Sequence, residues 1–287
     1  MTLDSPTLIA PGVEVLPVRT PTLPPATHTN VYLLGTGDVV LVEPASPYAE
    51  EIERAVDWVE AHLRNGRRLR AILTTHHHPD HIGGATALAR RLGAPLWGHP
   101  ATIERLEGAV SFDRALEDGE VVALDGEVPM RLRAVHTPGH APGHLCFYDE
   151  VSRAMIAGDM VASVGTILVE TTDGDMAQYL RSLAAMDALE PSVLLPAHGG
   201  PIYAAHEKLA GYIVHRLLRE AKVLAALRED AMPRAVFALV PHAYDDAPPA
   251  VWPLAALAAE AHLVKLANEG LAERTPDGWR PLGPLGS

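Results

Sequence analysis

At 287 residues, 48% of them apolar, the chain is long enough for one large domain with its own core, which excludes disorder as the main state. The formal net charge is −13, from 23 Lys and Arg against 36 Asp and Glu, which excludes a general nucleic-acid-coating role built on clustered cations. A single cysteine, Cys146, excludes an internal disulfide and a cysteine-based zinc site. No unbroken apolar run approaches the roughly 18 residues of a membrane span. No basic stretch followed by an apolar core marks the first residues as a leader. The expected setting is therefore the cytoplasm, with no membrane partner.

The first strand is expected at residues 30–34, a turn at 35–38 and a second strand at 39–42, which together predict a hairpin. Residues 48–65 place Ile52, Ala55, Val56, Val59 and Leu63 at helical spacing. Residues 69–73 read as a buried strand. Residues 84–92 read as a helix closed by Gly93, and 94–97 as a short strand. Strands are also expected at 130–135, before Asp159 and at 193–195. The order is that of an α/β protein. After about residue 204 the composition changes. Residues 205–228, 232–240 and 248–270 predict three helices, and Pro276-Asp277-Gly278 turns a terminal hairpin. Three helices and a two-stranded wing make a winged-helix-like α+β module. The chain thus divides into a catalytic domain at 1–204 and this module at 205–287. The module holds 9 Lys and Arg against 10 Asp and Glu, too little positive charge to read DNA. Packing, or covering a substrate, suits it better. The apolar surface of the 205–228 helix suits either a dimer or packing on the main domain. The terminal Gly-Pro-Leu-Gly-Ser resembles an expression-tag remnant and enters no fold argument.

Histidine carries the chemistry: 15 residues, several of them clustered. Thr74-Thr75-His76-His77-His78-Pro79-Asp80-His81 follows one strand and precedes a helix. Alternate residues at a strand exit can turn the same way, so His76 and His78 can enter one pocket. Imidazole and carboxylate are ligands for zinc-like ions. Four such groups within six positions are too many for one open catalytic ion and suggest two ions sharing a site. Three more strands end in ligand-type side chains beside glycine or proline. They deliver His136-Thr137-Pro138-Gly139-His140, Gly158-Asp159 and Pro196-Ala197-His198-Gly199.

This ordered set resembles the metallo-β-lactamase superfamily over roughly residues 10–204. The resemblance implies an αββα sandwich. It implies that His76, His78 and His140 hold one ion, that Asp80, His81 and His198 hold a second, and that Asp159 bridges them. Thr29-Asn30-Val31-Tyr32-Leu33, Gly165-Thr166 and the His215-Arg216 tail are similar to the β-lactamase-like protein 2 group. That group includes single-strand RNA endonucleases and acyl-carrier-protein thioesterases. Many superfamily members carry an aspartate in a Leu-Ile-Asp-Thr-Gly stretch. Here Val42-Glu43-Pro44-Ala45-Ser46 stands there, and Glu43 could accept a hydrogen bond from a metal-bound histidine.

Two divalent ions, Zn2+ with Mn2+ or Fe2+ as alternatives, would share a bridging hydroxide as the nucleophile. No Gly-x-Ser-x-Gly elbow or phosphate-binding loop offers another. Asp80 and His144 are the catalytic candidates. His144 could donate to substrate, reach a metal ligand or fix its turn. Cys146 reads as a buried thiol. His77 and His99 read as surface residues, and His136 as packed outside the metal shell. The expected reaction is hydrolysis of a small ester, thioester or lactone. The alternative is a phosphodiesterase or single-strand RNA endonuclease, with nucleic acid as substrate only. Arg67, Arg68 and Arg70 are the one dense cationic run that could serve it.

Overall fold

The computed structural model describes residues 5–283. The tag-like end beyond Gly283 lies outside the described residues. Two β-sheets form the centre. The first runs β1 (Thr7–Ala10), β2 (Val13–Arg19), β3 (His28–Leu34), β4 (Asp38–Val42), β5 (Arg68–Leu73), β6 (Leu96–Gly98) and β7 (Arg114–Ala115). The second contains β8 (Val121–Leu124), β9 (Met130–His136), β10 (Leu145–Asp149), β11 (Ala154–Gly158) and β12 (Val193–Pro196) in the spatial order β12-β11-β10-β9-β8.

Side-chain alternation explains the layers. Val15, Tyr32, Val40, Val42 and Leu73 face Leu132, Leu145, Phe147, Ile156 and Leu195 across the space between the sheets. The intervening residues Val31, Leu33, Val39, Leu41 and Ile72 turn outward onto α1 (Ala49–Arg64) and α3 (Ala85–Leu92). On the far side, Cys146, Tyr148, Met155 and Ala157 pack with residues of α5 (Met176–Asp187) and the start of α6 (Ala205–Leu227). The result is the αββα sandwich. Strands covered on both faces need apolar residues at every position, which is why 39–42 and 69–73 read as unbroken runs. Two short helices, α2 (Pro79–Ile82) and α4 (Pro100–Arg105), complete this part.

The first half of α6 lies in the sandwich core through Leu209 and Tyr212. Its second half joins a separate core through Val223, Ala226 and Leu227. That core is built with α7 (Val236–Ala243), α8 (Trp252–Asn268) and the hairpin β13 (Ala272–Thr275) and β14 (Gly278–Pro281). Helix α7 starts later than the expected 232 because the Arg234 backbone pairs with Trp279 of β14. The hairpin turn is Pro276-Asp277 alone, since Gly278 already pairs with Thr275. Pro249–Asn268 has a mean hydropathy of 1.3 over its most apolar window and is long enough by length and composition to cross a membrane. The sequence reading missed this because polar residues interrupt the run. In this fold Ala259, Leu263 and Leu266 of the same helix lie in the module's core.

Candidate metal centre

The ligand-type residues gather where β4, β5, β9, β11 and β12 end. β5 stops at Leu73, and Thr74 and Thr75 lead to the buried His76. His78 precedes the single turn α2, where Pro79 occupies a first-turn position that needs no N–H donor. That turn returns His81 to within 4.0 Å of the His76 ring, centre to centre. β9 reaches His140 through Gly139, whose φ is 126°. A β-carbon at Gly139 would lie 2.1 Å from the Tyr179 backbone nitrogen, so the close approach requires glycine. At the end of β11, a β-carbon on Gly158 would lie 2.5 Å from His144 Nε2. Asp159 follows that glycine, and β12 delivers His198 through Pro196 and Ala197.

Two groups result, and they share Asp159. In the first, His78 Nδ1 lies 3.0 Å from His76 Nε2 and 3.0 Å from His140 Nε2, and the latter two are 3.3 Å apart. In the second, Nε2 of His81 and Nε2 of His198 each lie 3.7 Å from Asp80 Oδ2. Asp159 Oδ2 is 3.5 Å from His81 Nε2 and 3.7 Å from His140 Nε2. Its Oδ1 is 3.3 Å from His198 Nε2.

The outward nitrogens decide what this arrangement suits. His76 Nδ1 is 2.9 Å from Thr75 Oγ1, and His78 Nε2 is 2.8 Å from Asp173 Oδ2. His81 Nδ1 is 3.0 Å from Glu43 Oε1. His140 Nδ1 is 2.9 Å from the Leu168 carbonyl, and His198 Nδ1 is 2.9 Å from the His28 carbonyl. In the first group, donation outward leaves the inward nitrogen of each neutral ring unprotonated. Three lone pairs at 3.0–3.3 Å repel one another unless a cation lies between them. Zn–N bonds of about 2.0–2.1 Å in a tetrahedron put nitrogens about 3.3–3.4 Å apart, close to this spacing. Among the described residues, His81 Nε2 and Asp159 Oδ1 are buried with no hydrogen-bond partner. Buried polar atoms are rarely left so. The residues therefore fit divalent ions at both groups.

Charge follows the same division. Burial, reinforced by the surrounding imidazoles, holds His76 well below the ordinary histidine value. Burial pushes His140 down to about 4. At His81 burial also opposes charge, but Glu43, Asp159 and Asp80 outweigh it and raise the ring well above its ordinary value. Burial opposes ionisation of Asp159, yet His81 and His198 hold it well below the usual carboxylate range.

Residues 24–198 match the family described as the metallo-beta-lactamase superfamily. The chain belongs to that superfamily. Residues 236–279 match the beta-lactamase associated winged helix domain. A beta-lactamase-like protein 2 homolog from Caenorhabditis elegans is 30% identical over 85% of this chain and 80% of its own length. An atrochrysone carboxyl ACP thioesterase from Aspergillus chevalieri is 33% identical over 70% of this chain and 61% of its own. The chain spans about three fifths of the length of such fungal relatives. A solved metallo-beta-lactamase family protein from Thermus thermophilus superposes with a TM-score of 0.77 and 27% identity, covering 96% of this chain and 99% of that one. The chain thus has the metallo-β-lactamase fold followed by the associated winged helix domain.

Within this superfamily fold, several sequence expectations change. His144 is fully buried, with Nδ1 2.8 Å from Thr137 Oγ1. Its Nε2 accepts the Asp159 backbone N–H at 3.1 Å. Both nitrogens are taken by protein, so His144 positions Asp159 and does not meet substrate; the catalytic assignment is corrected. His77 is half-buried and 2.9 Å from Asp173. His99 is half-buried rather than exposed and stacks on His136 at 4.0 Å. Arg68 and Arg70 lie 2.7 and 2.8 Å from the buried Asp38, and Arg67 lies 3.0 Å from Glu14. The cationic run is therefore paired with carboxylates, at the opposite end of β5 from the two donor groups. Asp173 was not anticipated. It also takes Arg105 at 2.9 Å, and partial burial of its carboxyl is outweighed by hydrogen bonds from His77 and His78.

Proposed function

We propose that this chain is a metallohydrolase that uses two divalent ions to hydrolyse a small acyl substrate, an ester, thioester or lactone. The sharing of Asp159 between two donor groups carries the two-ion reading. Divalent ions held there supply an activated water at neutral pH and polarise the acyl oxygen. The chain's own residues orient that chemistry. Glu43, Thr75, Asp173 and the two backbone carbonyls fix the imidazole tautomers, and His144 fixes the Asp159 backbone. Asp80 is the partly exposed carboxylate of the second group, its Oδ2 3.7 Å from Nε2 of both His81 and His198. A side-chain nucleophile has no support. Cys146 is buried on the α5 side of the second sheet, and burial pushes its thiol up to about 12.

Two features favour acyl over phosphodiester substrates. One relative is named as an acyl-carrier-protein thioesterase. The arginine run that could have served a polyanion is paired with Asp38 and Glu14. The test is a panel of acyl thioesters, lactones, bis-p-nitrophenyl phosphate and single-stranded RNA, run on metal-free and reloaded enzyme. Acyl turnover that disappears with the metal and returns with it is expected. Cleavage of the phosphodiester or RNA without acyl turnover would replace this reading by the nuclease alternative.

A further inference from the structure

Residues 160–175 connect β11 to α5 without a strand or helix of their own. This connection carries the acceptors for two of the three imidazoles of the first group. The Leu168 carbonyl takes the proton of His140 Nδ1, and Asp173 Oδ2 that of His78 Nε2. A segment so placed must be held from outside, because its backbone has few partners of its own.

Helix α6 holds it. Lys208 Nζ donates to the Ser163 carbonyl at 3.1 Å. The Tyr212 hydroxyl donates to the Gly165 carbonyl at 2.9 Å and accepts from the Ala162 N–H at 3.0 Å. Arg216 donates through Nη2 to the Ile167 carbonyl, one peptide before Leu168. Lys208, Tyr212 and Arg216 recur every four residues, so one stripe of α6 runs along the connection. The Leu168 side chain itself packs on the core of the C-terminal module.

Arg216 is the informative member. It is only 3% exposed, lies over the Tyr179 ring at 5.3 Å, and leaves its Nε without a partner. Its neighbour Arg219 pairs with Asp246, whereas among the described residues no carboxylate pairs with Arg216. Burying a guanidinium without a carboxylate opposes folding. What the residue does in return is fix the carbonyl beside Leu168. The imidazoles of the second group take no acceptor from this connection, since His81 and His198 rest on Glu43 and the His28 carbonyl; only the His198 backbone carbonyl meets it, accepting the Ser163 N–H at 3.1 Å.

We infer that α6, through Arg216 and Tyr212, sets the geometry of the His76, His78 and His140 group, so that the C-terminal module tunes one of the two ions and not the other. The inference rests on the two-ion reading above. Arg216 and Tyr212 are positioning residues.

Cobalt titration of metal-free protein, followed by absorbance, tests this. The wild-type protein should take up two ions, and His140→Ala should remove the step that belongs to the first group. Arg216→Met should weaken that step by about tenfold, the lower end of the effect of losing an outer hydrogen-bond partner of a ligand, while the other step stays in place. Tyr212→Phe keeps the ring and should move the same step less. Arg216→Lys should restore part of the loss. If Arg216→Met fails to fold, Tyr212→Phe and Arg216→Lys carry the test. Folded variants with that step unchanged, or with both steps moved equally, overturn the inference and leave the two-ion reading standing. Uptake of fewer than two ions by the wild-type protein overturns both.

Discussion

The two donor groups share Asp159 but hang from different parts of the chain. His81 and His198 are oriented by Glu43, just beyond β4, and by the carbonyl of His28 in β3. Sheet register fixes both. His78 and His140 are oriented by Asp173 and Leu168, both in the connection that α6 holds. His76 joins the two halves, because Thr75 passes its proton contact on to Glu43 at 2.6 Å. One site can thus combine a rigid half, set by strand ladders, with a half that depends on a distant helix.

The largest effect should come from the shared chemistry. Asp80→Ala or His81→Ala should abolish turnover and leave the fold intact by circular dichroism. Normal turnover in either variant would break the two-ion account. Glu43→Ala comes next. It removes the acceptor of both His81 and Thr75, so both uptake steps should weaken, by about 10–100-fold for a lost partner of a metal ligand. An effect confined to one step would show that Glu43 does not join the halves.

Acidity should separate the halves in the metal-free protein. The folded-state value of His140, about 4, lies below that of an unfolded histidine. The folded chain therefore binds fewer protons, and stability falls as pH drops from about 6.5 to about 4. His81 is shifted the other way, raised by its carboxylate neighbours against burial. Its contribution is complete below about pH 6.5 and is lost as pH rises through its folded-state value. Each group contributes a slope of up to about 1.4 kcal/mol per pH unit within its window. Melting temperatures of His140→Gln should therefore flatten on the acid side, and those of His81→Gln on the alkaline side. The reverse pattern would contradict the charge division. The smallest effect is expected for Cys146→Ser, which should retain turnover. A folded but inactive variant would restore the thiol as a reacting group.

The gathering of the ligand-type residues was legible because the segments that carry them follow apolar strands beside glycine or proline, so sequence spacing maps directly onto one end of the sandwich. The αββα order was legible for the same reason, through doubly buried strands such as 39–42. Their supports were not. Two of the five acceptors are backbone carbonyls, of Leu168 and His28, which any residue type supplies. Asp173 lies in a Thr-Thr-Asp-Gly-Asp stretch without periodicity, 95 residues from the His78 it orients. His144 has the residue type of a catalyst, and only the two occupied ring nitrogens reveal its positioning role. Glu43 was legible as a hydrogen-bond acceptor, but not its fully buried position at φ 69° or its second contact, to Thr75.

The most direct measurement is the ratio of bound metal to protein after reloading, made on the wild-type chain and on His140→Ala. The account predicts about two divalent ions per chain for the first and about one for the second. A single ion in the wild-type protein, or an unchanged ratio in the variant, would contradict two separately supported groups joined at Asp159.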